Sequence, residues 1–141
     1  MLVDANLLLF AVDERSDFHV PAREWLTERL NGSRRIGFPW ASLLAFARIA
    51  SNPRASAKPL SPAEAWKHVT EWLEPDVAWI PTPTGSHAEV LGRLVVGYQL
   101  RANLIADAHL AALAIEHGLS VVSADTDFAR FTEIVWENPL A

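Results

Sequence analysis

Leu104-Ile105-Ala106-Asp107-Ala108-His109-Leu110-Ala111-Ala112-Leu113-Ala114-Ile115-Glu116-His117-Gly118-Leu119-Ser120-Val121-Val122-Ser123 is the stretch that decides the fold. Leu104 to His117 is rich in Ala and Leu, the residues that lose least on entering a helix. Asn103 is placed as its cap and Gly118 as its stop. Leu119 to Ser123 then reads as an apolar strand. A strand without polar alternation is covered on both faces, the signature of a parallel sheet.

The same alternation extends outward in both directions. After Ser123 come a helical turn at Asp127 to Phe131 and a last strand at Ile134 to Trp136. Upstream, Ser86 with Glu89 is a capping-box pattern opening a helix through about Tyr98, and Val77 to Ile80 is a strand closed by Pro81 and Pro83. Ser61, Pro62 and Glu64 start another helix, with Trp66, Val69, Trp72 and Leu73 on its inward face. Pro53 to Pro62 is a loop, because neither side is long enough to stand alone. Pro39 opens a helix through roughly Ser51, with Leu43, Phe46, Ala47 and Ala50 inward. Before it lie a short strand, Arg35 to Phe38, and a helix with Pro21 in its first turn, carrying Trp25, Leu26 and Leu30 and stopped by Asn31-Gly32. The chain begins with a buried strand, Met1 to Val3, which ends at Asp4 and feeds a helix from Ala5 to about Ala11. The expectation is a single α/β domain over residues 1–141, a three-layer α/β/α sandwich around a parallel central sheet.

Composition narrows the chemistry. The 141 residues are 50% hydrophobic and 21% charged, which is ordinary for a globular chain. Twelve basic against seventeen acidic residues leave a net charge of −5, the wrong sign for a module that holds nucleic acid through a broad basic face. With no cysteine, disulfides, thiolate metal sites and thiol nucleophiles are excluded. Leu7 to Val12 is far shorter than the ~18 residues of a spanning helix, and no export signal precedes it, so a soluble cytoplasmic protein is expected.

In open α/β sheets ligands bind beyond the C-terminal strand ends, which directs attention to the acids there. Asp4 follows the first strand, Asp125 and Asp127 follow the strand ending at Ser123, and Asp107 is placed in the first turn of the Leu104–His117 helix. Each has a structural explanation: Asp4 as an N-cap, Asp107 opposing a helix dipole, and Asp127 or Thr126 capping the short helix beyond. Together they mean something else. Two carboxylates about 4 Å apart repel by about 4 kcal/mol at an effective dielectric near 20, so a cluster must take up protons or a cation. An oxygen-only site suits Mg²⁺ or Mn²⁺, and such sites most often serve phosphodiester cleavage through a metal-acidified water.

Other readings fit less well. An aspartyl-phosphate enzyme needs an acid two residues after the first Asp, where Asn6 stands and cannot donate a proton in that way. A phosphoacceptor receiver domain needs a lysine after a late strand, and none is there. His109 lies about 200° around the helix from Asp107, which does not suit joint chelation, and His117 suits a helix C-terminus.

Leu2-Val3-Asp4-Ala5-Asn6, Asp107 to Gly118, and Ser123-Ala124-Asp125-Thr126-Asp127-Phe128 together resemble the opening strand, the acidic helix and the hydroxyl-x-Asp-x-Asp-Phe turn of PIN-domain ribonucleases, in order and over essentially the whole chain. The branch it is most similar to is the VapC-type toxins of bacterial toxin–antitoxin pairs. The resemblance implies a Mg²⁺-dependent endoribonuclease, with Mn²⁺ as a plausible substitute, that cleaves structured RNA (tRNA or rRNA) and leaves 5′-phosphate and 3′-hydroxyl ends. It implies Asp4 and Asp107 as principal metal ligands, Asp125 as a further acid, Asp127 positioning the turn or binding metal through water, and Asn6 and Ser123 orienting the carboxylates. It also implies a homodimer formed through helices of the N-terminal half, and a VapB-type antitoxin reaching into the active-site groove.

In one place the chain departs from the family pattern. Ala45 stands where PIN domains usually carry a Glu on the third helix, which favours one firmly held metal and leaves open a catalytically weak or inactive module that binds RNA or an antitoxin without cleavage. Arg34, Arg35, Arg48, Arg54 and Lys58 form a basic region that is either an RNA-backbone clamp or solvated surface. Trp25, Trp66 and Trp72 are expected in the core, and Trp40, at a strand exit, is the tryptophan placed to stack on a base.

Overall fold

Residues 1–141 are described by a computed structural model that builds the expected alternation. In order these are β1 (Leu2–Val3), α1 (Ala5–Val12), α2 (His19–Leu30), β2 (Ile36–Gly37), α3 (Trp40–Ala50) and α4 (Pro62–Leu73). There follow β3 (Ala78–Trp79), α5 (His87–Gly97), α6 (Asn103–His117), β4 (Val121–Val122), a short 3-10 helix (Thr126–Arg130) and β5 (Trp136–Glu137). Every strand pairing is parallel, and the spatial order is β3-β2-β1-β4-β5.

That order locates the functional edge. The chain steps outward from β1 to β3 and then returns to place β4 on the other flank of β1, so its direction of winding switches between β1 and β4. The crevice in such sheets opens beyond the carboxyl ends of those two strands. Leu2 pairs with Val121 and Val3 with Val122, and the Asp4 amide donates to the Val122 carbonyl at 3.0 Å. Asp4 and the residues after Val122 therefore emerge side by side.

Alternation along β1 divides the core. Met1 and Val3 pack with Leu7, Leu26, Phe38, Phe46 and Val69 under α1 to α4, whereas Leu2 joins Leu94, Leu110, Leu113, Val121 and Phe128 under α5, α6 and the 3-10 helix. Burial on both faces is why the central strands β1, β2 and β4 lack polar alternation; each enclosed leucine or phenylalanine contributes about 1.5–3 kcal/mol. Gly37 is required by close approach: a Cβ there would lie 2.7 Å from Pro81 Cγ and 3.2 Å from the Met1 carbonyl oxygen.

Local signals were honoured unevenly. At α4 the capping box forms in full, with the Glu64 amide donating to Ser61 Oγ at 3.1 Å and the Ser61 amide to Glu64 Oε1 at 3.0 Å. At α5 it does not: Ser86 precedes the helix without a side-chain cap, and its amide donates to Thr84 Oγ1 instead. Asn103 is not the cap of α6 but its first residue. A tight turn sits in front of it, in which the Leu104 amide donates to the Arg101 carbonyl around Ala102 at φ 52°, ψ −126°. Asp107 consequently lies in the second turn of α6, beyond the reach of the first-turn dipole. Trp66 is not core either. The inward line of α4 is Ala65, Val69 and Trp72, which turns Trp66 outward to stack on Trp40 at 6.3 Å between centroids and 8° between planes, both rings more than two-fifths exposed.

Candidate metal centre

Asp4 leaves β1 in extended conformation and caps α1, its Oδ1 accepting the Ala5 amide at 2.7 Å. Its other oxygen accepts the Ser123 hydroxyl, also at 2.7 Å. Ser123 is fully buried, and its oxygen also accepts from Asn6 Nδ2 at 3.1 Å and from the Asp125 amide at 3.0 Å. One donor and two acceptor positions exhaust a hydroxyl, so Ser123 ties β1, α1 and the turn after β4 into a single arrangement. Asn6 closes it further, its Oδ1 facing the Ala124 amide at 3.4 Å. On the other side of this junction the buried Ser42 of α3 donates to the Val3 carbonyl at 2.6 Å.

Asp125, rather than Asp127 or Thr126, caps the 3-10 helix, accepting the Asp127 amide at 2.8 Å. This turn brings both carboxylates toward Asp107 on α6. Asp107, Asp125 and Asp127 each present an oxygen within 4.8 Å of the other two. Asp4 is not one of these three, but its charge reaches Asp107. Burial pushes the Asp107 carboxyl up to about 6, and the charges of Asp125, Asp4 and Asp127 push the same way against Arg130. Burial likewise raises Asp4, with Asp125 adding to it, although the Ser123 and Ala5 hydrogen bonds act in the opposite direction. The donor set is all carboxylate, partly exposed, and short of positive charge, which suits a hard divalent cation that retains several waters. Asp107, Asp125 and Asp127 are the side chains that would hold it.

The basic candidates scatter. Arg34 and Arg35 precede β2 and so lie at the amino-terminal edge of the parallel sheet, opposite the carboxylates; Arg35 covers the Trp79 ring at 4.3 Å. Arg48 lies more than two turns along α3, and Arg54 and Lys58 lie in the loop beyond that helix. A groove of about 650 Å³ reaches Lys58, Arg15 and Arg23 at the far end of α1, again away from the acids. Trp40 alone of the RNA candidates stands at the carboxyl edge, just after β2. Two groupings were missed from sequence. Arg130 binds back to Asp127 from the last turn of the 3-10 helix, a contact its i, i+3 spacing would have signalled. His109, turned away from Asp107, meets His87 at 3.0 Å, and His87 pairs with Glu116, a cluster that no local spacing foretells.

A parallel α/β sheet with clustered carboxylates at its winding switch defines the class of protein. The PIN domain family matches residues 1–134, and the chain belongs to that family. It is 44% identical to ribonuclease VapC37 of Mycobacterium tuberculosis over 99% of this chain and 97% of that one. It is 36% identical to ribonuclease VapC33 of the same organism, over 99% and 98%. Among solved structures it is similar to VapBC2 from Rickettsia felis bound to a promoter DNA fragment, with TM-score 0.67, 15% identity and coverage of 97% and 96%. A toxin–antitoxin complex from Klebsiella pneumoniae gives TM-score 0.64 at 17% identity, covering 98% and 96%.

Proposed function

We propose that this chain is a Mg²⁺-dependent endoribonuclease, the toxic member of a toxin–antitoxin pair, with Mn²⁺ able to substitute and structured RNA (tRNA or rRNA) as substrate. The observation that carries this reading is the meeting of Asp107, Asp125 and Asp127 within 4.8 Å at the edge where the winding of the chain switches between β1 and β4. A divalent ion bound there supplies an acidified water and charge neutralisation for a phosphodiester. The chain's own residues arrange the rest. Ser123 and Asn6 hold Asp4 and the Asp125 turn in fixed relation, so that the carboxylates stay gathered despite their repulsion. Asp4 completes the acidic wall from the β1 side. Trp40 offers an indole face at the same edge for stacking with a base.

The names of its ribonuclease relatives support hydrolysis of RNA, and the antitoxin complexes among its structural neighbours support a VapB-type protein partner. Homodimerisation through the N-terminal helices and residence in the cytoplasm belong to the same proposal; no helix is long and apolar enough to cross a membrane. The test is expression of the chain alone, with growth arrest and RNA cleavage followed in Mg²⁺, Mn²⁺ and chelator. Cleavage abolished by Asp4→Asn and by Asp107→Asn supports the assignment. Cleavage unaffected by both overturns the assignment of these carboxylates as the catalytic site, and an absence of cleavage by the parent with RNA still bound replaces the reading with a non-catalytic binding module.

A further inference from the structure

Three carboxylates and one divalent ion leave a negative charge at the site before any substrate arrives, and a phosphodiester adds another. Ala45 supplies no carboxylate to recruit a second ion. It lies one turn beyond Ser42 on the side of α3 that reaches Val3, so the position that would hold such a ligand carries a methyl group. A phosphate approaching this edge needs a cation from the protein itself. The basic residues before β2, on α3 and in its following loop are elsewhere.

Arg130 is the cation that is present. Its Nε donates to the Asp127 carbonyl at 3.1 Å, which fixes the base of the guanidinium to the turn. Its Nη2 reaches Asp127 Oδ1 at 3.4 Å, well beyond the 2.7–2.9 Å usual for a charge-assisted bond. A guanidinium has five N–H donors; two are engaged, one of them loosely, and the side chain is 35% exposed. Its charge is also felt at Asp107, where it opposes the three neighbouring acids. Planar forked donors on a fixed stem match two oxygens of a phosphodiester better than they match one distant carboxylate oxygen.

We infer that Arg130 is the phosphate-binding residue of this site: its guanidinium rests on Asp127 in the free protein and turns its unspent donors to the RNA phosphate once Asp127 engages the divalent ion. The inference rests on the nuclease reading for its substrate, and no bond to Arg130 forms or breaks. One ion and one guanidinium then balance the three clustered carboxylates, in place of a second metal.

The experiment uses the full chain and the variants Arg130→Gln and Arg130→Lys, with folding checked by thermal unfolding. The binding probe is a fluorescein-labelled 2′-O-methyl oligoribonucleotide in Ca²⁺, read by anisotropy across a salt series. Mn²⁺ binding without RNA is read by calorimetry. Arg130→Gln is expected to weaken oligoribonucleotide binding at least about tenfold and to reduce the salt slope by about 0.7, one phosphate contact on a single strand. Mn²⁺ affinity is expected to hold or rise, because a competitor for Asp127 is gone. Arg130→Lys is expected to fall between, keeping charge but not the fork. Unchanged oligoribonucleotide affinity and slope in both variants, with only thermal stability lost, would mean that Arg130 merely braces the turn, and would overturn the inference. RNA cleavage by the parent chain is scored separately. Cleavage with an Arg130-independent affinity sinks this inference alone, and Arg130-dependent binding without cleavage sinks the nuclease reading alone.

Discussion

Asp107→Asn should make the metal-free protein more stable while destroying its response to metal. The folded pKa of Asp107 is about 6 against 3.8 for a free carboxyl, so folding favours the protonated form. The associated stability is fully present below the unfolded value near 3.8 and is lost as pH rises through about 6. Above that, the ionised carboxylate works against the fold. A shift of this size corresponds to about 3 kcal/mol for an enclosed group, but this one is only half-buried, and solvent screening brings the expected gain to about 1 kcal/mol. For a chain of this length that is a rise of about 3–4 °C in Tm near pH 8 in chelator, vanishing near pH 3.5 where the parent is also neutral. Saturating Mn²⁺, at about a hundred times its Kd, should add about 2.7 kcal/mol to the parent and much less to the variant. Differential scanning fluorimetry across pH, with chelator or Mn²⁺, measures all four states. A variant less stable than the parent at pH 8 in chelator would refute the repulsion argument, as would an equal Mn²⁺ shift in both proteins.

Three other perturbations follow from the same contacts. Ser123→Ala strands the Asp4 carboxylate, the Asp125 amide and the Asn6 amide group at once; a loss of about 1–3 kcal/mol is expected in urea melts, with Mn²⁺ affinity falling as the turn loosens. Ala102→Gly relieves a φ of 52° in a turn whose second residue is normally glycine; it should raise stability by up to about 1 kcal/mol, and a lower Tm would contradict the turn geometry. Glu116 is pushed up by burial, but hydrogen bonds from the Thr84 hydroxyl, His87 and the Thr84 amide outweigh this and hold it below the usual range. Its stabilisation is therefore present above the ordinary glutamate pKa of 4.5 and lost as pH falls below it. Glu116→Gln should cost about 1 kcal/mol near neutrality and nothing in acid, as a pH series of urea melts would show.

The sequence by itself determined the alternation of elements and the identity of the acids. The apolar strands β1, β2 and β4 with both faces buried, the Gly118 stop (φ 66°) and the Ser61–Glu64 box are all local patterns, and each is realised. Asp4, Asn6, Ser123 and Asp125 could be singled out because the ends of parallel strands are where backbone groups and side chains face a crevice. Only the tertiary structure decided what meets what. Strand order brought β4 beside β1, so that a residue near each end of the chain shares one hydroxyl. Backbone geometry at Ala102 started α6 one residue earlier than its neighbours in sequence implied, which moved Asp107 just past the first turn. Basic residues that cluster along the sequence from Arg34 to Lys58 were left away from the carboxyl edge, because Arg34 and Arg35 come before β2 and α3 carries its own ends about 15 Å apart. Arg130, alone among the cations, was left beside the acids. Spacing along a chain fixes the direction a side chain leaves its own element; the packing of one element on another fixes where that direction ends.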